Sequence, residues 1–173
     1  MTVFHNTYDF FADPTVQEVR AWAIQCHGDQ LYGNVPWVQH LDAVAKILND
    51  HYVNGHWAMK ICYCHDLVAH TDVQVDDIRQ RYGDEVAQGV AFCTDEPGYT
   101  PEARGATYRR VRDLLSQQFA LSPVLNTVTE IALWVKLADR LASLRQARRN
   151  SQALLQQLHG EHQDFRDTYQ VYC

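Results

Sequence analysis

From Val124 to about Asn150 the chain runs without a glycine or proline, and through IALWVKLADRLASLR it is apolar on most sides. A long helix with so little polar face belongs in the middle of a domain, with other helices packed around it. The rest of the sequence supplies those helices. Asp13-Pro14 reads as a cap followed by a proline in the first turn, and predicts a helix to about Gly28. A second helix starts near Pro36, where Trp37, Leu41, Val44 and Leu48 form one stripe at helical spacing. A third covers residues 56–70, with Ala58, Ile61, Cys62, His65, Val68 and Ala69 on one face. Short helices fit residues 75–82 and 84–93, a loop fits 94–101, and a polar helix fits 102–119. No segment shows the alternation of a strand. The fold class is therefore all-α, an orthogonal helical bundle, read as a single domain over residues 1–173.

Charge and cysteine usage narrow the partners. The net charge is −6 and no strongly basic block stands out, which argues against duplex nucleic acid as a partner. No run approaches the roughly 20 apolar residues that a membrane span needs. The start, MTVFHNTYDFFADPT, lacks a basic segment followed by an apolar one, so no signal peptide is expected and the expected location is cytoplasmic. The five cysteines form no C-x-x-C pair, and most read as small buried hydrophobes of a reducing compartment.

Four polar residues sit against the apolar pattern. His40 borders the stripe of the second helix, His65 is centred on that of the third with Asp66 at its edge, and Asp139 lies inside the most apolar helix. A buried ionised carboxylate is unfavourable unless it is paired or coordinates a metal. Taken singly, each has an ordinary reading. A histidine on an apolar face can be a hydrogen-bonded core residue, and Asp139 can pair with Arg140, Lys136 or Arg109. Taken together, two imidazoles and two carboxylates from three helices of one core are the ligand set of a divalent transition metal. Four protein ligands on a six-coordinate ion leave two positions for water and a substrate oxygen.

The motifs that hold these residues resemble the HD superfamily of metal-dependent phosphohydrolases. PWVQHL resembles its first-histidine motif, ICYCHDLVAHT its His-Asp doublet helix, and VKLADRLASLR its final-aspartate motif. YGDEVAQGVAFCTDEPG, VKLADR and the tail LHGEHQDFRDTY are most similar to the RelA/SpoT-type branch, which includes the small alarmone hydrolases. The resemblance spans roughly residues 15–170. It implies an HD-type helical bundle, with His40, His65, Asp66 and Asp139 as metal ligands and Mn²⁺ as the metal; the ligand set also admits Fe²⁺ or Zn²⁺. It implies pyrophosphate removal from a nucleotide such as (p)ppGpp. Three positions depart from the branch. Its Glu-Asp pair after the doublet is Ala69-His70 here, its Arg-Lys pair before the first ligand is Leu31-Tyr32, and its Asn after the final aspartate is Ser143.

These readings assign further roles. His70, one turn beyond Asp66, could handle protons, or be a helix-end histidine. Lys136, Arg140 and Arg104 could meet substrate phosphates, although ion pairs explain the two arginines as well. Tyr32 could stack on a base or simply pack. Ser143 occupies a position that faces the nucleotide in the branch. The expected function is a metal-dependent phosphohydrolase acting on a small-molecule nucleotide, possible substrates including a (p)ppGpp-like alarmone. The alternatives are an HD hydrolase of another nucleotide, such as a deoxynucleoside triphosphate or cyclic nucleotide, or a nucleotide-binding pseudo-hydrolase.

Overall fold

A computed structural model describes residues 10–96, 101–118 and 123–169. After a short 3-10 turn at Phe10–Ala12 comes α1 (Pro14–His27), then a small hairpin of β1 (Leu31–Tyr32) and β2 (Val35–Pro36). The helices α2 (Trp37–Asp50), α3 (His56–Cys64), α4 (Leu67–His70), α5 (Val75–Tyr82) and α6 (Asp84–Cys93) follow. The remainder is α7 (Pro101–Gln118), α8 (Pro123–Asn150), α9 (Gln152–Gly160) and α10 (His162–Tyr169).

The elements start and stop where local chemistry dictates. The Asp13 carboxylate accepts the backbone N–H of Thr15 at 2.8 Å and caps α1 one residue before Pro14. Gly83, at a φ of 93°, ends α5 and opens α6, so the chain turns a corner that a side chain would resist. The hairpin turn places Gly33 at a φ of 65° in its first central position, where a tight two-residue turn needs glycine. Strands of two residues are too short for alternation to reveal, which is why the sequence reads as strand-free.

Helix α8 holds the central place expected of it, packing on α2, α3, α6 and α9. Leu41, Val44 and Leu48 of α2, Ile61 and Cys62 of α3, Val86 and Val90 of α6, and Ala132 and Val135 of α8 are fully buried together. Cys62, Cys64 and Cys93 are buried free thiols within this core, and Cys26 is half-buried. Burial pushes the Cys93 thiol up to about 12, so it acts as an inert small hydrophobe.

One expected helix is two. The apolar face predicts an unbroken helix over residues 56–70, but α3 ends at Cys64 and α4 begins at Leu67. Asp66 between them lies at φ −98° and ψ −10°, in the sparsely populated bridge region. The Cys62 carbonyl, the acceptor a continuous helix reserves for residue 66, receives the His65 ring N–H at 2.6 Å. Two helices beyond Asn150 are not among those the sequence predicts: Ser151 caps α9 through the backbone N–H of Leu154, and α10 packs on α7.

Gly89 sets the spacing of α3 and α6. A Cβ there would come within 2.8 Å of Cγ1 of the fully buried Ile61. Gly89→Ala gains about 1 kcal/mol of helix propensity and loses about 1–3 kcal/mol to overpacking. A lower thermal unfolding midpoint is expected, and a larger drop for Gly89→Leu. A raised midpoint for both would show that the two helices do not need this close approach.

Candidate metal centre

Three segments bring the four polar residues together. Helix α2 presents His40, the α3–α4 junction presents His65 and Asp66, and α8 presents Asp139. His40 and His65 are each only 1% exposed. His40 Nε2 lies 3.2 Å from Asp139 Oδ1, and His65 Nε2 lies 4.0 Å from the same oxygen. One ligand atom each from His40, His65 and Asp139 falls within 4.8 Å of the others. Asp66 stands beside this trio, with Oδ1 3.3 Å from His65 Nε2 and Oδ2 3.9 Å from His40 Nε2.

These residues fit a divalent cation on a physical observation. His40 Nε2 and His65 Nε2 are buried and neither has a hydrogen-bond partner. The close approach of His40 to Asp139 lacks hydrogen-bond alignment. Leaving such atoms without a partner costs about 1–3 kcal/mol each. The His65 Nδ1–H is fixed on the Cys62 carbonyl, so its Nε2 lone pair is the one turned toward the carboxylates. Two imidazoles and carboxylate oxygens together suit Mn²⁺, Fe²⁺ or Zn²⁺.

A second layer of contacts orients these groups. The Trp37 indole N–H donates to Asp66 Oδ2 at 2.9 Å. Tyr32 lies flat on the His40 ring, with centroids 4.0 Å apart and planes 10° from parallel. Its hydroxyl pairs with Ser143 Oγ at 2.7 Å, and Ser143 Oγ donates to Asp139 Oδ1 at 3.3 Å. Tyr32 therefore stacks on a candidate ligand, and Ser143 steadies another. Of the two roles the sequence leaves open for Tyr32, stacking on a base or packing, the structure shows packing, on His40.

Charge is concentrated in the same place. Lys136 Nζ sits 3.2 Å from Asp95 Oδ1 and 3.6 Å from Asp139 Oδ2. Burial works against its charged form, but Asp95 and Asp139 outweigh it and hold the ammonium well above its ordinary pKa. Burial likewise works to raise the Asp139 carboxyl, yet the His40 contact, Lys136 and His65 bring it below the usual carboxylate range. Asp66 shows the same contest, won by the fields of His65 and His40. Both carboxylates are thus ionised at neutral pH. Burial lowers the pKa of His70, whose Nε2 is 4.0 Å from Asp66 Oδ1 and whose shift the Asp66 charge only partly opposes.

A cavity of about 180 Å³ opens onto Asp66, His70, Asp95, Lys136, Asp139 and Arg140. Beside it lies a cleft of about 470 Å³ whose lining includes Leu31, Tyr32, Asn34, Trp37, Gln146 and Asn150. Tyr32 and Leu154 line both spaces. Arg140 is engaged structurally: its guanidinium meets Glu161 at 3.1 Å and the Leu158 carbonyl, and lies over the Phe165 ring. The side chain of Arg104 lies outside the described residues. Sequence reasoning missed Trp37 and Asp95, because neither stands against the apolar pattern of a helix.

A buried cluster of imidazoles and carboxylates that could hold a divalent ion thus lies beside a cavity on an all-α scaffold. The HD domain family matches over residues 19–169, and the chain belongs to that family of phosphohydrolases. A solved metazoan ortholog of SpoT, described as hydrolysing ppGpp and playing a role in starvation responses, is similar in structure. The TM-score is 0.72 at 20% identity, over 91% of this chain and 86% of that one. None of the curated proteins matches the sequence. Among the described residues no helix is long and apolar enough to cross a membrane.

Proposed function

We propose that the protein is a metal-dependent phosphohydrolase of nucleotides, with His40, His65, Asp66 and Asp139 as the ligands of one divalent ion, Mn²⁺ by family resemblance. The observation that carries this reading is the pair of buried, unpartnered imidazole nitrogens converging with Asp139 beside a buried ammonium. When bound, such an ion polarises a phosphate oxygen and lowers the pKa of water.

The chain's own groups do the remainder. Lys136 stays charged and offers a phosphate oxygen a partner where Asp95 now sits, steadying negative charge as it develops. Asp66 and Asp139 stay ionised and offset the charge of the cation. His70, held neutral by burial, accepts the proton of the attacking water. The cleft beyond Tyr32, lined by uncharged residues, takes the nucleoside end.

The fold likeness to a protein that hydrolyses ppGpp makes a (p)ppGpp-like alarmone the first substrate to test. One observation favours a different nucleotide. Tyr32 and Ser143, at positions where the branch contacts its substrate, bond to each other, and the cleft beside them has no charged residue. A deoxynucleoside triphosphate or cyclic nucleotide is therefore the second candidate.

The test is turnover by metal-stripped and Mn²⁺-reloaded protein on guanosine alarmones, nucleoside triphosphates and cyclic nucleotides. Metal-dependent release of pyrophosphate or phosphate from at least one is expected. Absence of turnover on all of them with metal bound would favour the pseudo-hydrolase. The role of His70 has its own signature. kcat/KM is expected to rise with pH through a midpoint below 6.5, as His70 loses its proton. His70→Ala should lose that limb and about 100- to 10,000-fold in turnover while keeping its metal. A variant with the wild-type limb would remove His70 from the proton path.

A further inference from the structure

We infer that Trp37 is a positioning residue for the metal centre: its indole N–H holds one oxygen of Asp66 and so turns the other toward His65 Nε2. The inference rests on the metal site proposed above and extends it to a residue that touches no substrate phosphate and donates no ligand.

The geometry is specific. Trp37 Nε1 donates to Asp66 Oδ2 at 2.9 Å, leaving Oδ1 3.3 Å from His65 Nε2. Asp66 lies at the break between α3 and α4, where its side chain makes no helix-cap hydrogen bond. The indole that holds it is itself clamped. The His27 ring stacks on it at 4.9 Å and 8°, the His70 ring lies at 4.3 Å and 50°, and Tyr32 meets it edge-on at 5.3 Å. Gln30 ties the clamp together, with Oε1 2.9 Å from His27 Nδ1 and Nε2 donating to the His70 carbonyl at 2.7 Å. The indole therefore has little freedom to turn its N–H elsewhere.

Any buried tryptophan needs an acceptor for its N–H, and most take a backbone carbonyl or water. Here the acceptor is a carboxylate beside two imidazoles, and the donor begins the helix that carries His40 one turn later. The first turn of α2 thus sets one candidate ligand directly and a second through the indole. Without the N–H, the Asp66 carboxylate is free to rotate, and presents its oxygens to His40, His65 and His70 in several arrangements. Hydrogen-bonded partners of this kind typically control metal affinity by about 10- to 100-fold.

The test removes the N–H and keeps the ring. Trp37 is replaced site-specifically by β-benzothienylalanine, an isostere without the donor, and separately as Trp37→Phe. Mn²⁺ affinity is read from the free-ion paramagnetic resonance signal, and the Co²⁺-loaded proteins are compared by visible absorption. About 10- to 100-fold weaker Mn²⁺ binding and an altered Co²⁺ spectrum are expected for the isostere, with the metal-free thermal midpoint of the wild type. Wild-type affinity and spectrum in the isostere would overturn the inference, even if Trp37→Phe binds weakly, because loss of packing would then be the cause. A wild type that binds no Mn²⁺ would overturn the metal site as well.

Discussion

Asp139→Ala is expected to abolish metal-dependent stabilisation along with turnover. In the wild type, Mn²⁺ at about a thousand times its Kd should stabilise the native state by about 4 kcal/mol. For a chain of this size that raises the thermal midpoint by roughly 8–16 °C over the metal-free protein. Asp139 Oδ1 is a single oxygen within 4 Å of both imidazole Nε2 atoms, at 3.2 Å from His40 and 4.0 Å from His65. Asp66 also reaches both imidazoles, but with a different oxygen to each, and its Oδ2 already accepts the Trp37 N–H. The variant should therefore show one midpoint with Mn²⁺ and with chelator alike, and metal affinity should fall by more than about 100-fold. A midpoint that still rises with Mn²⁺ as in the wild type would place the ion elsewhere.

Lys136→Met should separate metal binding from catalysis. The ammonium is nearly buried and stands between Asp95 and Asp139, facing the cavity that holds His70 and Asp66. Its pKa is raised well above 10.5, so it is charged throughout the working pH range and adds no limb to a pH profile near neutrality. If it steadies charge developing on the phosphate, its removal costs about 100- to 1,000-fold in kcat. Metal content should survive, because Lys136 donates nothing to the ion. A variant with unchanged kcat but a lower thermal midpoint would make Lys136 a structural counter-ion of the two carboxylates and nothing more.

The candidate ligands could be read from the sequence because each breaks a rule. His40, His65 and Asp139 are polar residues at helical positions where an apolar one belongs, and that conflict is visible without coordinates. The helices α5 and α6 were likewise legible, since Gly83 and the turn chemistry around it mark their ends. The break at Asp66 was not. Leu67 is as buried as Ile61, so the apolar face runs on across the junction and periodicity carries no trace of it. The hydrogen bond from Trp37 to Asp66 was equally hidden. A tryptophan on an apolar stripe looks like packing, and nothing in the local pattern says where its N–H points. Arg140 and Ser143 show the converse. The sequence leaves Arg140 open between a substrate phosphate and an ion pair and sets Ser143 at a nucleotide-facing position, while the structure gives the first Leu158 and Glu161 as partners and the second Tyr32 and Asp139. Those partners come from elements far along the chain, the feature that local pattern carries least.

The position of the ion itself decides whether these four residues form its site. Crystals of the Mn²⁺-loaded protein, measured at the manganese absorption edge, should show one anomalous peak. That peak is expected within coordination distance of His40 Nε2, His65 Nε2 and Asp139 Oδ1, with Asp66 alongside. A peak bound by other residues, or none with Mn²⁺ in excess, would contradict it.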